Sequence, residues 1–391
     1  MSDVFVIEAL RTPFGSFGGM LSDMEAPELA ATVMCEILEQ TGIAAEVVDE
    51  VIVGQVLSGG CGQAPARQAM RAAGIPDSTH AMTINKVCGS GLKAIMLGAG
   101  SIMLGDSQIV IAGGMESMST APYFLKKARW GYRMGHGEIY DLMIYDGLQD
   151  PYTGRQMGEI GEASVARNGL TRKELDEYAL RSYRLAQAAV TGGVFCDETV
   201  VVVVKGKGGE TKLIADEEPF KVDFDKLPRL SPAFKKDGTI TAGNASTITD
   251  GAALALLTNE AGLKKHNLAP KARIVAMSTE SRHPDHFPEA PVGAITKVCA
   301  RAGLSTNDID LFEINEAFAS VPLIAIKSLG LDLDKVNVNG GACALGHPIG
   351  ASGGRLAATV IRELHKRKAR YGLATLCIGG GEAVAVIFER M

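Results

Sequence analysis

Apolar and polar positions along this chain switch repeatedly between a period of two and a period near 3.6. Val4-Phe-Val-Ile7 is a short apolar run that predicts a strand, closed by the turn signal Arg11-Thr-Pro-Phe-Gly15. Residues 28–42 carry Leu29, Val33, Ile37 and Leu38 at helical spacing. Val51-Ile-Val-Gly-Gln-Val56 reads as the next strand and residues 64–73 as the next helix. Met82-Thr-Ile-Asn-Lys-Val-Cys88 is strand-like, breaks at Cys88-Gly-Ser-Gly91, and continues as a helix over 92–104. Gln108-Ile-Val-Ile-Ala112 is a buried strand ending in two glycines. Strands alternating with helices predict a mostly parallel sheet in an α/β fold.

The order then recurs. Arg273-Ile-Val-Ala-Met277 stands where the first strand stood, and Asp308 to Asn315 echoes Val48 to Gln55. Lys335-Val-Asn-Val-Asn-Gly-Gly341, followed by Gly350-Ala-Ser-Gly353 and a helix, echoes the stretch around Cys88. Leu373-Ala-Thr-Leu-Cys-Ile-Gly-Gly-Gly381 echoes residues 109–114. The period is too long for a solenoid, so the reading is an internal duplication of one α/β unit. Approximate symmetry between such halves brings matching glycine loops to a common interface. Residues 119–247 fit neither half. They hold an aromatic and basic run, Ala128-Arg-Trp-Gly-Tyr-Arg-Met134, a helix over 171–190, a valine-rich strand over 199–204 and a proline-punctuated charged segment. An insertion of that size is expected to be a functional surface loop domain. The resulting partition is a first half of 1–118 with 248–270, an inserted domain of 119–247, and a second half of 271–391.

The candidate chemistry lies at glycine-framed turns. Asn339-Gly-Gly-Ala-Cys-Ala-Leu-Gly-His-Pro-Ile-Gly-Ala-Ser-Gly-Gly354 cannot be the interior of a helix or strand, and it surrounds one histidine, His347. Pro348 stiffens the chain after it, and a helix follows with Ser352 as its expected cap. Cys88 sits between strand and helix, where a helix N-terminus is expected to lower a thiol's pKa. Cys377 closes a buried strand before three glycines, and Asn315 follows another strand. Open α/β sheets place their sites at such strand ends. The phosphate-cradling rival is weak, because neither G-x-G-x-x-G after the first strand nor G-x-x-x-x-G-K-[ST] occurs.

Composition narrows the class. With 391 residues, 46% hydrophobic and 21% charged, the chain is long enough for two or more globular domains. A net charge of −6 argues against a nucleic-acid footprint. Seven scattered cysteines without C-x-x-C suit reduced thiols, and histidines and cysteines lack metal-ligand spacing, so no metal is expected. No uncharged apolar stretch approaches the roughly 20 residues of a membrane span. The start shows no targeting pattern and Phe388-Glu-Arg-Met391 is no peroxisomal address, so the expected compartment is cytoplasmic.

With these motifs assembled, the chain resembles the thiolases, close to the acetyl-CoA acetyltransferases. The signatures run in order: Asn85-Lys-Val-Cys-Gly-Ser-Gly-Leu-Lys, Ala112-Gly-Gly-Met-Glu-Ser-Met-Ser, Thr241-Ala-Gly-Asn-Ala-Ser, Asn315-Glu-Ala-Phe-Ala, Gly346-His-Pro-Ile-Gly-Ala-Ser-Gly and Cys377-Ile-Gly-Gly-Gly. The resemblance implies a layered α-β-α-β-α fold and an acyl-CoA C-acyltransferase working through an acyl-cysteine. By it Cys88 is the nucleophile and His347 takes its proton, while Cys377 exchanges a proton with the α-carbon of the second substrate. His347 with a water held by Asn315 forms one oxyanion hole, and the N–H groups of Cys88 and Gly379 form another. The loop domain is implied to hold CoA through Met157, Phe234, Ala242 and Ser246, with Leu148, Ala317 and Phe318 beside them. No tightly bound cofactor is implied; acetyl-CoA, acyl-CoA and CoA are substrates. The implied assembly is a homotetramer, a dimer of dimers, with the Trp130 loop making tetramer contacts.

Departures from the family pattern fall around the acyl pocket. Gln156 stands where acetoacetyl-CoA thiolases typically carry histidine, residues 283–292 lack the usual Met-Gly-x-Gly-Pro segment, and Glu382 follows the last glycine. Two alternatives accompany the leading reading: a degradative 3-ketoacyl-CoA thiolase of broader chain length, and a catalytically silent acyl-CoA binding subunit.

Overall fold

The computed structural model describes residues 2–206 and 209–391. The first half is built from β1 (Val4–Arg11), α1 (Ala26–Thr41), β2 (Glu50–Gly54), α2 (Pro65–Ala72), β3 (His80–Ile84), α3 (Ser90–Leu104) and β4 (Ile109–Glu116). In the intervening stretch lie α4 (Met157–Arg167), α5 (Arg172–Thr191) and the hairpin β5 (Val202–Gly206) with β6 (Gly209–Leu213). Then β7 (Thr249–Thr258) completes the first half's sheet. The second half holds β8 (Ala272–Ser281), α6 (Ala290–Ala302), β9 (Leu311–Ile314), α7 (Ser320–Leu329), α8 (Ser352–Arg367), β10 (Tyr371–Ile378) and β11 (Glu382–Arg390).

Local signals account for the helix ends. Pro27 lies in the first turn of α1 and Gly42 ends it at φ +65°, while Leu29, Val33 and Ile37 face inward. Thr171 and Glu174 form a reciprocal capping box at the start of α5. The expected cap Ser352 is instead the first residue of α8, after Ala351 at the N-cap. Its hydroxyl is used elsewhere, as described below. Of the strand expected over 199–204, Thr199 makes only an isolated parallel bridge to Arg11, and the regular strand starts at Val202.

The main strands form one sheet in the order β9-β10-β11-β8-β1-β7-β4-β2-β3. Reading outward from the centre, β1, β7, β4 and β2 are matched by β8, β11, β10 and β9. The halves join by antiparallel pairing of Val4, Phe5 and Val6 with Ile274, Arg273 and Ala272. The fifth strand has no full counterpart: opposite β9 the second half keeps only a parallel bridge between Phe312 and Val336. The expectation of a mostly parallel sheet fails. Only β2–β3, β2–β4 and β9–β10 are parallel. The reason is that β10 turns straight into β11 through three glycines, a connection too short for a parallel crossover. β7, for its part, runs antiparallel to both β1 and β4.

Helices α3 and α8 are buried side by side between the halves, sharing one core with strands of both. Helices α1 and α2 cover the outer face of the first half, and α6 and α7 that of the second. This gives the layered α-β-α-β-α arrangement. Because α3 packs on apolar neighbours, Val87–Leu104 is apolar enough by length and composition to cross a membrane, with mean hydropathy 1.5. The stretch carries the charged Lys93, so the expectation of no uncharged run of that length is not overturned, and the helix is a core element.

Candidate active site

Cys88 is presented by a strained turn between β3 and α3. Val87 holds φ at +46°, a left-handed conformation costly for a β-branched residue. Side chains on both sides brace it. The Val87 N–H donates to Asn85 Oδ1 at 2.8 Å, the Lys86 N–H donates to Ser90 Oγ at 2.8 Å, and the Ser90 hydroxyl donates to the Val87 carbonyl at 2.7 Å. The turn therefore fixes the thiol before substrate arrives.

The His347 loop meets this turn backbone to backbone. A Cβ on Gly91 would lie 2.8 Å from the Gly350 carbonyl oxygen, and one on Gly114 would lie 1.9 Å from it. Close approach of the two halves is what these glycines permit. Glu116, fully buried, accepts from the N–H groups of Val56 (3.0 Å), Leu57 (3.0 Å) and Gly350 (2.9 Å), tying the loop to the first half. Burial pushes this carboxyl up to about 7 against the pull of those three donors.

His347 is 7% exposed, and its N–H donates to the Thr247 carbonyl at 3.0 Å. Ser352 Oγ lies 2.5 Å from its Nδ1 and also donates to the Pro348 carbonyl at 2.9 Å. A hydroxyl has one proton to give, so with that proton on Pro348 the ring must donate from Nδ1. Nε2 is then the bare nitrogen, and the Asn315 amide nitrogen stands 3.4 Å from it. Asn315 is itself held by its N–H to the Thr375 carbonyl at 3.0 Å. Its Oδ1 is buried with no hydrogen-bond partner among the described residues.

Burial sets the protonation states. The Cys88 thiol is pushed up to about 11 by desolvation, opposed by N–H groups of Gly379 and of Cys88 itself. The helix N-terminus expected to lower it does not win. Desolvation, with a smaller contribution from Arg355, lowers His347 to about 3. Cys377, 1% exposed, lies well above the usual thiol range through burial, with a smaller upward contribution from the neighbouring Cys88 thiol. At neutral pH the resting site thus holds neutral thiols beside a neutral imidazole.

Cys88, His347 and Gly379 line one cavity of about 270 Å³. Met157, Phe234, Ser246, Leu148, Ala317 and Phe318 form much of its remaining wall. Ala242 lies outside it, in an adjoining cleft of about 380 Å³ that shares Phe234 and Ser246. Cys377 and Asn315 are not among the wall residues; both are buried behind it. Phe318 packs edge-on against Phe234, with ring centroids 6.1 Å apart, and Phe287 lies 6.4 Å from Phe318.

Residues 4–261 match the thiolase N-terminal domain and residues 268–390 the thiolase C-terminal domain. The chain belongs to the thiolase family. It is 49% identical over 392 residues to an acetyl-CoA acetyltransferase of Pseudomonas aeruginosa, covering 100% of both chains. A probable acetyl-CoA acetyltransferase of Dictyostelium discoideum is 45% identical, with 100% of this chain and 95% of the relative covered. The crystal structure of the Bacillus anthracis acetyl-CoA acetyltransferase superposes with a TM-score of 0.98 at 43% identity, over 100% of this chain and 99% of that one. Human mitochondrial 3-ketoacyl-CoA thiolase superposes with a TM-score of 0.96 at 40% identity, over the same shares.

Within this thiolase framework several residues escaped the sequence reading. Ser352 orients His347, Glu116 anchors its loop, and Met118, Ile144, Thr247, Ile248 and Ile349 add to the cavity wall. Ser352 stood in a signature motif but read as a cap; Glu116, Met118 and Ile349 stood in signature motifs without an assigned role, and Ile144 and Ile248 carry no local signal. Gln156 does line the cavity, and as the N-cap of α4 its backbone N–H donates to Glu159 Oε2 at 2.7 Å. The segment 287–292 contributes Phe287 alone, because Ala290 already begins α6.

Proposed function

We propose that this protein is an acyl-CoA C-acyltransferase that condenses two acetyl-CoA to acetoacetyl-CoA and runs the reverse thiolysis through an acyl-cysteine. The observation that carries the reading is the meeting of Cys88, His347 and Gly379 on one cavity with Cys377 directly behind.

In this scheme the Cys88 sulfur attacks the thioester carbonyl while its proton passes to Nε2 of His347. The N–H groups of Gly379 and Cys88, already aimed at the sulfur, stabilise the thioester oxygen as it becomes anionic. The tetrahedral adduct expels CoA, which leaves with the proton from His347. The Cys377 thiol then passes its proton to the bare Nε2 of His347, and the thiolate so formed takes an α-proton from a second acetyl-CoA. Its enolate oxygen is held by His347 and by a water on Asn315, and its carbon attacks the acyl-Cys88 carbonyl. Cys88 leaves as the thiolate and takes the proton back from Nε2 of His347, so that both thiols and the imidazole end neutral. In thiolysis the same steps reverse, and burial of Cys377 keeps it in the protonated form that returns a proton to carbon. A neutral thiol at Cys88 means that proton transfer and attack proceed together rather than from a standing thiolate.

We assign CoA binding to residues 119–247 as a loop domain, supported by Met157, Phe234 and Ser246 on the cavity wall and Ala242 in the adjoining cleft. CoA and its thioesters are substrates, with no resident cofactor in the scheme. A homotetramer is supported by the exposed apolar loop in which Trp130 is 83% and Met134 is 99% accessible. A reducing, cytoplasmic setting suits seven cysteines that are all free. The degradative reading, broader in chain length, is favoured by Gln156 on the wall. The silent-subunit reading predicts no turnover. Thiolysis of acetoacetyl-CoA by the purified protein, lost in Cys88→Ala, tests the proposal; an inactive wild type overturns it.

A further inference from the structure

Helix α8 carries a buried ion pair that the reaction scheme leaves unused. The Arg355 and Glu313 side chains are 1% and 3% exposed, and Arg355 Nη1 donates to Glu313 Oε2 at 2.5 Å. The remaining guanidinium nitrogens, Nε and Nη2, are buried without a partner among the described residues. A buried pair generally returns no more stability than apolar packing of the same shape, and unsatisfied N–H groups worsen the balance. Stability alone is therefore a poor account of this contact.

Its placement offers a better one. Glu313 lies on β9 two residues before Asn315, and Arg355 lies on α8 three residues after Ser352. One contact thus links the strand leading to the amide with the helix whose first residue orients the imidazole. The Asn315–His347 approach is long at 3.4 Å, so a small slip of the helix along the strand would break it. We propose that Arg355, through Glu313, is a positioning residue that keeps the His347 ring and the Asn315 amide in register for proton transfer. This rests on His347 acting as the base. Arg355 also disfavours a second positive charge on His347.

The test compares Arg355→Met, Glu313→Leu and the double variant, each with its melting temperature, kcat, KM for CoA, and the rate of Cys88 alkylation by iodoacetamide. Single variants strand one partner and are expected to lose both stability and kcat. The double variant replaces the pair by apolar side chains, so its melting temperature returns toward wild type. Its kcat is expected to stay about tenfold or more below wild type with KM for CoA within about twofold, because the reacting groups remain misplaced. Recovery of kcat together with stability overturns the inference. An inactive wild type would instead overturn the acyltransferase reading. In that event Cys88 alkylation still decides: slower labelling in the stable double variant supports positioning, and an unchanged rate refutes it.

Discussion

Ser352 Oγ stands 2.5 Å from Nδ1 of His347 while giving its own proton to the Pro348 carbonyl. The pair fixes one imidazole tautomer, with Nε2 free to accept. Replacing Ser352 by Ala removes that constraint but leaves the ring in its loop. Loss of one such hydrogen bond, about 1–1.5 kcal/mol, should lower kcat by roughly five- to tenfold. KM for CoA should stay near wild type, since Ser352 is not on the cavity wall. An unchanged kcat would mean that the loop alone orients the ring.

The two cysteines should separate by half-reaction. Incubation with acetyl-CoA followed by peptide mass mapping is expected to place the acetyl group on Cys88. Cys377→Ala should still be acetylated but should neither condense nor cleave. Acetyl on Cys377 would reverse the assignment of nucleophile and base.

The pH dependence of Cys88 reactivity follows from its burial. A thiol pushed up to about 11 is protonated through neutrality, and the thiolate fraction grows as pH rises. Without substrate, iodoacetamide labelling should therefore climb roughly tenfold per pH unit through the neutral range and level off only near the shifted value. A plateau below pH 8 would show that the helix N-terminus outweighs desolvation after all.

Gln156 is expected to relax chain-length selectivity. Its amide can donate to a 3-keto oxygen but cannot become cationic as histidine can. The weaker contact should cost about 0.5–1.5 kcal/mol with acetoacetyl-CoA, while each added methylene returns about 0.8 kcal/mol of burial. The measurement is kcat/KM for thiolysis of four-, six- and eight-carbon substrates. A fall of about a hundredfold from four carbons to six, about 2.7 kcal/mol, would indicate a closed short-chain pocket.

For the assembly, light scattering at micromolar concentration should give the mass of four chains. Trp130→Ser with Met134→Ser should shift it toward the dimer by removing the apolar contact. A monomeric wild type would rule the tetramer out.

The sequence by itself determined the duplication, the α/β class and the candidate positions Cys88, His347, Cys377 and Asn315. These rest on local rules, namely hydrophobic period, glycine-dense turns and strand ends. Tertiary structure decided what depends on residues far apart. Strand direction was misread because β7 enters the first half's sheet after the 119–247 stretch, antiparallel to β1 and β4, which no local pattern records. Ser352 looked like a cap because a sequence shows a helix start but not the ring that claims the hydroxyl. The Cys88 thiol was expected to be lowered by its helix and is raised, since desolvation depends on how both halves close over it. The Arg355–Glu313 contact spans 42 positions. It exists only because α8 is packed between the two halves and meets β9 there.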